Sequence, residues 1–269
     1  MKIFKSFNVL NEVINFDENI GFVPTMGSLH NGHLSLIKIA KSKSKKILVS
    51  IYINPAQFND KKDFMRYPRN LKKDISKLKK LKVDYLFLPS DNEIYIRGVS
   101  KKIKIPKKDK IMCAKHRKGH FEGVLAVVNR LINNIKAIFI FIGKKDFQQI
   151  YLIKKYVLNK FNTELISCKT VRNKNKLPLS SRNILLSKKN LIKSEKISQL
   201  LLSFRSKIKK NFKNTTLLKF YKSKINKLCD EIEYFEIRNS KDLSKNINKN
   251  NFKIFIAYRQ KHVRLIDNH

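Results

Sequence analysis

One strand-to-helix corner constrains this chain more than any other stretch. Residues 21–34 read Gly21-Phe22-Val23-Pro24-Thr25-Met26-Gly27-Ser28-Leu29-His30-Asn31-Gly32-His33-Leu34. An apolar strand pattern, Ile20–Thr25, runs into a turn containing Gly27. A helical pattern then starts at Gly32, with Leu34, Ile37 and Ala40 on one face. Glycine lets backbone approach a ligand closely, and the N–H groups and dipole of a helix N-terminus favour an anion. His30 and His33 straddle that helix start, so both imidazoles can face one anion and donate to it as charge builds there. No glutamate lies between them and no third ligand clusters with them, so no zinc or other protein-held metal is expected.

The surroundings repeat the pattern. Residues 47–53 form a second buried-strand pattern, stopped by Asn54-Pro55 because proline cannot continue a central ladder. Residues 68–81 are predicted helical, with Pro68 in the first turn and Leu71, Ile75 and Leu78 on one face. Residues 83–88 give a third strand. Strand, helix, strand, helix, strand with short links predicts a parallel sheet with right-handed crossovers. The pattern weakens after Asp91, where residues 101–106 are assigned one short edge strand. His120–Ile135 reads as a helix with Val124, Val127, Val128 and Leu131 buried. Residues 137–142 are apolar on both faces and belong inside the sheet. Asp146 is expected to cap the next helix, and Glu164–Cys168 to form a further strand. After Thr170 the texture changes to a polar loop, two helices (187–210 and 215–231) and strands at 234–238, 252–259 and 263–267. The expected organisation is a parallel-sheet α/β domain over residues 1–169 and a smaller α+β domain over 170–269.

Composition narrows the function classes. Of 269 residues, 42% are hydrophobic, enough for a real core. The longest apolar runs fall far short of the roughly 20 residues of a membrane helix, and the first 16 residues lack the continuous apolar region of a secretory signal. Cys113, Cys168 and Cys229 are scattered, which suits a reducing compartment, and a cytoplasmic location is expected. A net charge of +40 suggests nucleic-acid binding at first sight. The lysines are spread over every segment, however, and exposed aromatics are not interleaved with them. The charge reads as compositional bias over an ordinary fold, with salt-sensitive adhesion to polyanions and no specific nucleic-acid partner.

Four further stretches bring anion-friendly or amide groups, three of them just after a predicted strand. Asn54-Pro55-Ala56-Gln57-Phe58 offers neutral donors and acceptors for a small polar substrate. Arg117-Lys118-Gly119-His120 precedes a helix and reads equally as surface charge. Gly143-Lys144-Lys145-Asp146-Phe147-Gln148-Gln149 follows the most buried strand and places lysine beyond the carboxyl edge of the sheet, where ligands of such sheets sit. Val171-Arg172 and Pro178-Leu179-Ser180-Ser181-Arg182-Asn183 combine two hydroxyls and a guanidinium into a phosphate clamp or, equally, a solvated linker.

In their order, these motifs closely resemble the pantothenate synthetase (pantoate–β-alanine ligase) family, over essentially the whole chain. The closing Arg264-Leu265-Ile266-Asp267-Asn268 resembles that family's C-terminal signature. The resemblance implies a Rossmann-like nucleotidyltransferase domain with a small C-terminal domain, usually in a homodimer. It implies that ATP and pantoate form pantoyl adenylate and pyrophosphate, and that β-alanine then yields pantothenate and AMP, with Mg2+ on the phosphates. Carried over, Met26, Gly27, Ser28, Leu29, His30, Asn31, Gly32 and His33 are the first ATP loop, with His33 in the active-site role. His30 and Lys145 join it in stabilising the reacting charge. Gly143, Lys144, Lys145, Asp146, Val171, Leu179, Ser180, Ser181 and Arg182 are expected to contact ATP. Gln57 is expected at pantoate and β-alanine, and Gln149 at pantoate. Residues 172–182 are the expected lid.

The chain departs from the family pattern in places. Lys144 stands where an acidic residue is common, Lys118 replaces a usual proline, and Ile142 a usual phenylalanine. Lys176-Leu177-Pro178 replaces Gly-Leu-Ala in a loop expected to move, and Asn239 stands for a common aspartate. Two other readings remain beside this one: a related nucleotidyltransferase, which need not carry the Gln57 and Gln149 pair, and a basic nucleic-acid-binding protein.

Overall fold

The computed structural model describes residues 1–14, 19–95, 103–210 and 215–269. The chain divides into two compact units, Met1–Lys169 and Thr170–His269. The first contains β1 (Lys2–Phe4), α1 (Phe7–Val13), β2 (Ile20–Thr25), α2 (Asn31–Lys41), β3 (Lys46–Ile51), α3 (Lys61–Arg66), α4 (Leu71–Lys80), β4 (Tyr85–Phe87) and α5 (Asp91–Ile94). It continues through α6 (Met112–His116), α7 (His120–Ile135), β5 (Phe139–Gly143), α8 (Phe147–Tyr156) and β6 (Glu164–Cys168). Its strands form one parallel sheet in the order β1-β4-β3-β2-β5-β6. The order reverses direction at β2/β5, the place where open parallel sheets bind ligands.

Proline sets the crevice. β2 pairs with β3 along its whole length, to Thr25↔Ile51. Against β5 the register covers only Gly21↔Phe139 and Phe22↔Ile140. Beyond that point β5 runs on to Gly143 beside β6. Pro24 has no N–H to give a ladder, so pairing on the β5 side stops where the sequence withholds a donor. The carboxyl ends of β2 and β5 are thereby left apart.

Side-chain alternation divides the layers. Val23, Val49 and Phe141 pack with Ile37 and Ala40 of α2 and Leu78 of α4. Ile37 and Leu78 are fully buried, each worth about 1.5–3 kcal/mol relative to exposure. On the other side the Phe7 ring of α1 meets Phe87 of β4 at 4.7 Å, and α1 also contacts α7.

The second unit holds α9 (Lys188–Lys210), α10 (Thr215–Asn226), β7 (Glu231–Asn239), β8 (Phe252–Gln260) and β9 (Val263–Asn268). The strands form an antiparallel sheet, β7-β8-β9. Ile197, Leu201, Phe204 and Ile208 of α9 share one core with Tyr221 and Ile225 of α10 and with Phe235, Ile256 and Tyr258 of the sheet.

Several boundaries differ from those expected. β1 was not foreseen, because three residues are too few to show a period. The helix expected from Pro68 starts at Leu71, where the Asn70 side chain caps Lys73 N–H. α3 was missed for its length. Residues 103–106 form no strand, and residues 101 and 102 of that expected strand lie outside the described residues. Asp146 precedes α8 but makes no side-chain cap. The helix expected to reach Glu231 ends at Asn226, and Glu231 opens β7.

Candidate active site

The corner after β2 is braced by its own backbone donors. Thr25 Oγ1 accepts from Gly27 N at 3.2 Å and donates to Ser50 O at 2.8 Å. Gly27 sits at φ +75°, which favours glycine, and Ser28 follows at φ +49°. Asp74 of α4, 2% exposed, accepts from Ser28 N at 2.7 Å and Leu29 N at 2.8 Å. Gly32 N donates to His30 Nδ1 at 3.1 Å, and His30 N to His33 Nδ1 at 3.2 Å. This is a reciprocal helix cap made by two imidazoles. The N–H groups of Gly27, Ser28, Leu29, His30 and Gly32 therefore hold the turn together.

The same bonds set the histidine chemistry. Each Nδ1 is an acceptor, so each neutral ring carries its proton on Nε2. The rings lie 4.1 Å apart. Burial first, then the charges of Lys145 and Lys77, lower His30 from 6.5 to about 4. Burial, His30, Lys145 and Lys77 hold His33 well below 6.5. At neutral pH the pair offers two Nε2–H dipoles and no positive charge. The cations at the corner are Lys145, in the turn after β5, and Lys77 on α4.

A second platform stands at the end of β3. Asn54, 1% exposed, accepts from Ala56 N at 3.2 Å and from Tyr95 Oη at 2.6 Å. Its Nδ2 donates to Gly123 O at 3.1 Å and to Gln57 Oε1 at 3.2 Å. The Gln57 amide is thereby oriented with Nε2 toward Met26 Sδ, 2.8 Å away. The Gln57 carbonyl accepts from His120 Nδ1 at 2.7 Å and Arg117 Nη2 at 3.1 Å. Helix α7 can approach this loop because Gly123 has no side chain: a Cβ there would meet Ala56 O at 2.6 Å. Behind the Met26–Ser28 turn lies a cavity of ≈ 380 Å³, lined among others by Ile51, Tyr52, Arg69 and Asp74.

The turn after β5 separates its two lysines. Lys145 acts on both imidazoles, whereas Lys144 is felt by Cys168, at the end of β6. Gly143, Lys144, Lys145, Asp146 and Gln149 are all partly buried along the rim of the sheet. Gln148, not Gln149, turns inward, and its Nε2 donates to Ile111 O at 2.8 Å. Val171, Leu179, Ser180, Ser181 and Arg182 belong to the second unit. There Leu179 N donates to Val171 O at 2.9 Å, and Ser180 Oγ accepts from Arg182 N at 3.3 Å. The segment expected as a lid is a braced turn. Arg172 bridges to Pro178 and pairs with Asp267, and Asn173 and Asn175 both hold Glu195.

The sequence reading missed Asp74, Lys77 and Tyr95, and left Arg117 open between surface charge and a role. The signal for Asp74 was an acidic residue beside the apolar stripe of α4. For Lys77 there was none, among 60 basic residues.

A parallel sheet parted at its switch point, with a braced corner of neutral imidazoles and lysines at the gap, defines a nucleotide-using α/β enzyme. The family model for pantoate-beta-alanine ligase matches residues 2–269. A pantothenate synthetase of Francisella tularensis subsp. mediasiatica (strain FSC147) is 40% identical over 267 residues, 98% of this chain and 94% of that protein. The crystal structure of pantothenate synthetase from Thermus thermophilus superposes with a TM-score of 0.92 at 30% identity, covering 100% of this chain and 99% of the other. That of pantoate-beta-alanine ligase from Francisella tularensis, complexed with beta-gamma ATP and beta-alanine, gives 0.86 at 38% identity, covering 100% and 97%. The chain belongs to the pantoate–β-alanine ligase family.

Proposed function

We propose that this chain condenses pantoate with β-alanine, using ATP, through a pantoyl adenylate. The pantoate carboxylate attacks the α-phosphorus of ATP, forming a C–O–P bond as the bond to pyrophosphate breaks. The amine of β-alanine then attacks the acyl carbon, and AMP leaves. Both reactants of the first step are anions, so the site must answer charge and align the attack. Lys145 supplies charge at the corner. The Nε2–H groups of His30 and His33 supply fixed dipoles, which need no reorganisation as charge develops. Residues 26–33 and 143–146 form the ATP floor. Val171, Leu179, Ser180, Ser181 and Arg182 are, on the family resemblance, further ATP-contacting residues, and Gln57 and Gln149 hold pantoate, with β-alanine beside Gln57.

The observation that carries this reading is the link from corner to platform. Gln57 Nε2, oriented by buried Asn54, reaches Met26 beside the phosphate turn, so a small acid held by Gln57 lies next to the nucleotide. Mg2+ fits the site as a metal carried by the phosphates. Among the described residues no three acidic, histidine or cysteine side chains gather to hold one, and Mg2+ on nucleotides takes few protein ligands. Bound there, it would neutralise phosphate charge. The chain works as a cytoplasmic homodimer in this reading. Among the described residues no helix is long and apolar enough to cross a membrane.

The test is ATP–pyrophosphate exchange. Exchange that requires pantoate is expected. Its absence with pantoate and every other carboxylic acid tried would overturn the proposal.

A further inference from the structure

We propose that Lys77 is a further phosphate-binding residue, an ammonium delivered by α4 to the pyrophosphate portion of ATP. The inference rests on the reading of residues 26–33 as the ATP floor.

Helix α4 grips the corner at two points. Asp74 commits both carboxylate oxygens to Ser28 N and Leu29 N. One helical turn on, at the spacing that places two side chains on one face, Lys77 Nζ donates to Leu29 O. The carbonyl takes one of the three N–H groups of the ammonium. The nitrogen is thereby fixed beside the residue preceding His30, with donors left over, on a side chain that is only partly buried. Its charge reaches both imidazoles, as does that of Lys145 from a different element. Lys77 therefore holds an ammonium beside two neutral imidazoles, while Asp74, still charged, turns both of its oxygens to backbone N–H groups. Such a corner is completed by an anion carrying several charges. Anchoring a carbonyl alone would need only a neutral donor.

Lys77→Gln and Lys77→Arg separate the two roles. Inorganic pyrophosphate is titrated into the full-length protein by calorimetry, and exchange is measured against ATP and pantoate. For Lys77→Gln, about a tenfold or greater rise is expected in both pyrophosphate Kd and ATP KM. Pantoate KM and Tm should stay near wild type, and Lys77→Arg should recover most of the loss. Unchanged pyrophosphate Kd and ATP KM in Lys77→Gln would overturn the inference. So would a fall in Tm with ATP and pantoate KM rising together, since that is the mark of a carbonyl anchor alone. If the wild type shows no exchange, the proposed function fails instead, and the pyrophosphate titration still decides Lys77.

Discussion

The two segments expected to handle phosphate are braced in opposite ways. In the corner, backbone N–H groups donate to side-chain acceptors: Asp74, His30 and His33. With both Nδ1 atoms accepting, each imidazole keeps an Nε2–H donor. In the turn over residues 172–178, side chains donate to carboxylates and to backbone carbonyls. Arg172 meets Asp267 through two bonds, at 2.7 and 2.8 Å, and reaches Asn268 O at 3.1 Å. Asp267, 4% exposed, also accepts from Ser198 Oγ at 3.2 Å and lies 3.1 Å from His269 Nε2. Arg172 is thus answered inside its own unit. In a chain this basic, counting cations near a motif says little. What matters is which cation already has a partner.

The largest expected effects probe that contrast directly. Arg172→Met leaves Asp267 charged and buried without its guanidinium, and removing one partner of such a pair costs about 3–5 kcal/mol. Urea unfolding followed in the second unit should show that loss. A cost under about 1 kcal/mol would mean the brace is a surface-like pair and the comparison fails. His33→Ala removes an Nε2–H donor and one arm of the cap. Turnover should fall about 10²–10³-fold, as for loss of one preorganised donor, with the far-ultraviolet circular dichroism unchanged. Near-normal exchange would remove His33 from the chemistry. Asp74→Asn comes next. It replaces one of two buried acceptors by an NH2 group facing an N–H, at about 1–3 kcal/mol. The same change should raise ATP KM, since the turn it holds is the proposed floor. A stability loss with ATP KM unchanged would separate Asp74 from the site.

The fold was legible because its signals are local and repeated. Residues 20–25, 120–135 and 164–168 carry enough apolar residues in one period to fix an element almost to the residue. β1 and α3 are too short for any period to show, and Asp146 looked like a cap without being one. The site was legible where function compresses into a contiguous motif, as in residues 26–33. It was illegible where a residue acts from far along the chain. Asp74 on Ser28, Tyr95 on Asn54 and Arg117 on Gln57 are set by parallel topology, which brings every strand end to one rim. The histidines show a further limit. Their spacing placed them at an anion, but their neutrality follows first from burial and then from Lys145 and Lys77, and of these only Lys145 is displayed by a motif.

The smallest effect is also the one that separates the two regions by pH. His30 and His33 are lowered in the folded state, so above pH 6.5 they are neutral folded or unfolded and contribute nothing to the difference. As pH falls from 6.5 to about 4, the unfolded chain takes up protons that the corner refuses, and the corner loses relative stability. Burial alone would raise Asp267, but its bonds to His269 and Arg172 and their charges outweigh it and hold it below 3.8. Its contribution is therefore whole above 3.8 and is lost only as pH falls through its folded value. Between pH 6.5 and 4 the corner should soften while the Arg172 turn holds. Amide hydrogen exchange, corrected for intrinsic rates, should show protection falling first in residues 26–33 and later in 171–179. The double variant His30→Asn, His33→Gln keeps cap-forming side chains but removes the titration, so its corner should show a flat profile over that range. Parallel loss in both regions of the wild type, or an unchanged slope in the double variant, would mean that the neutral imidazole pair is not what sets the corner's acid limit.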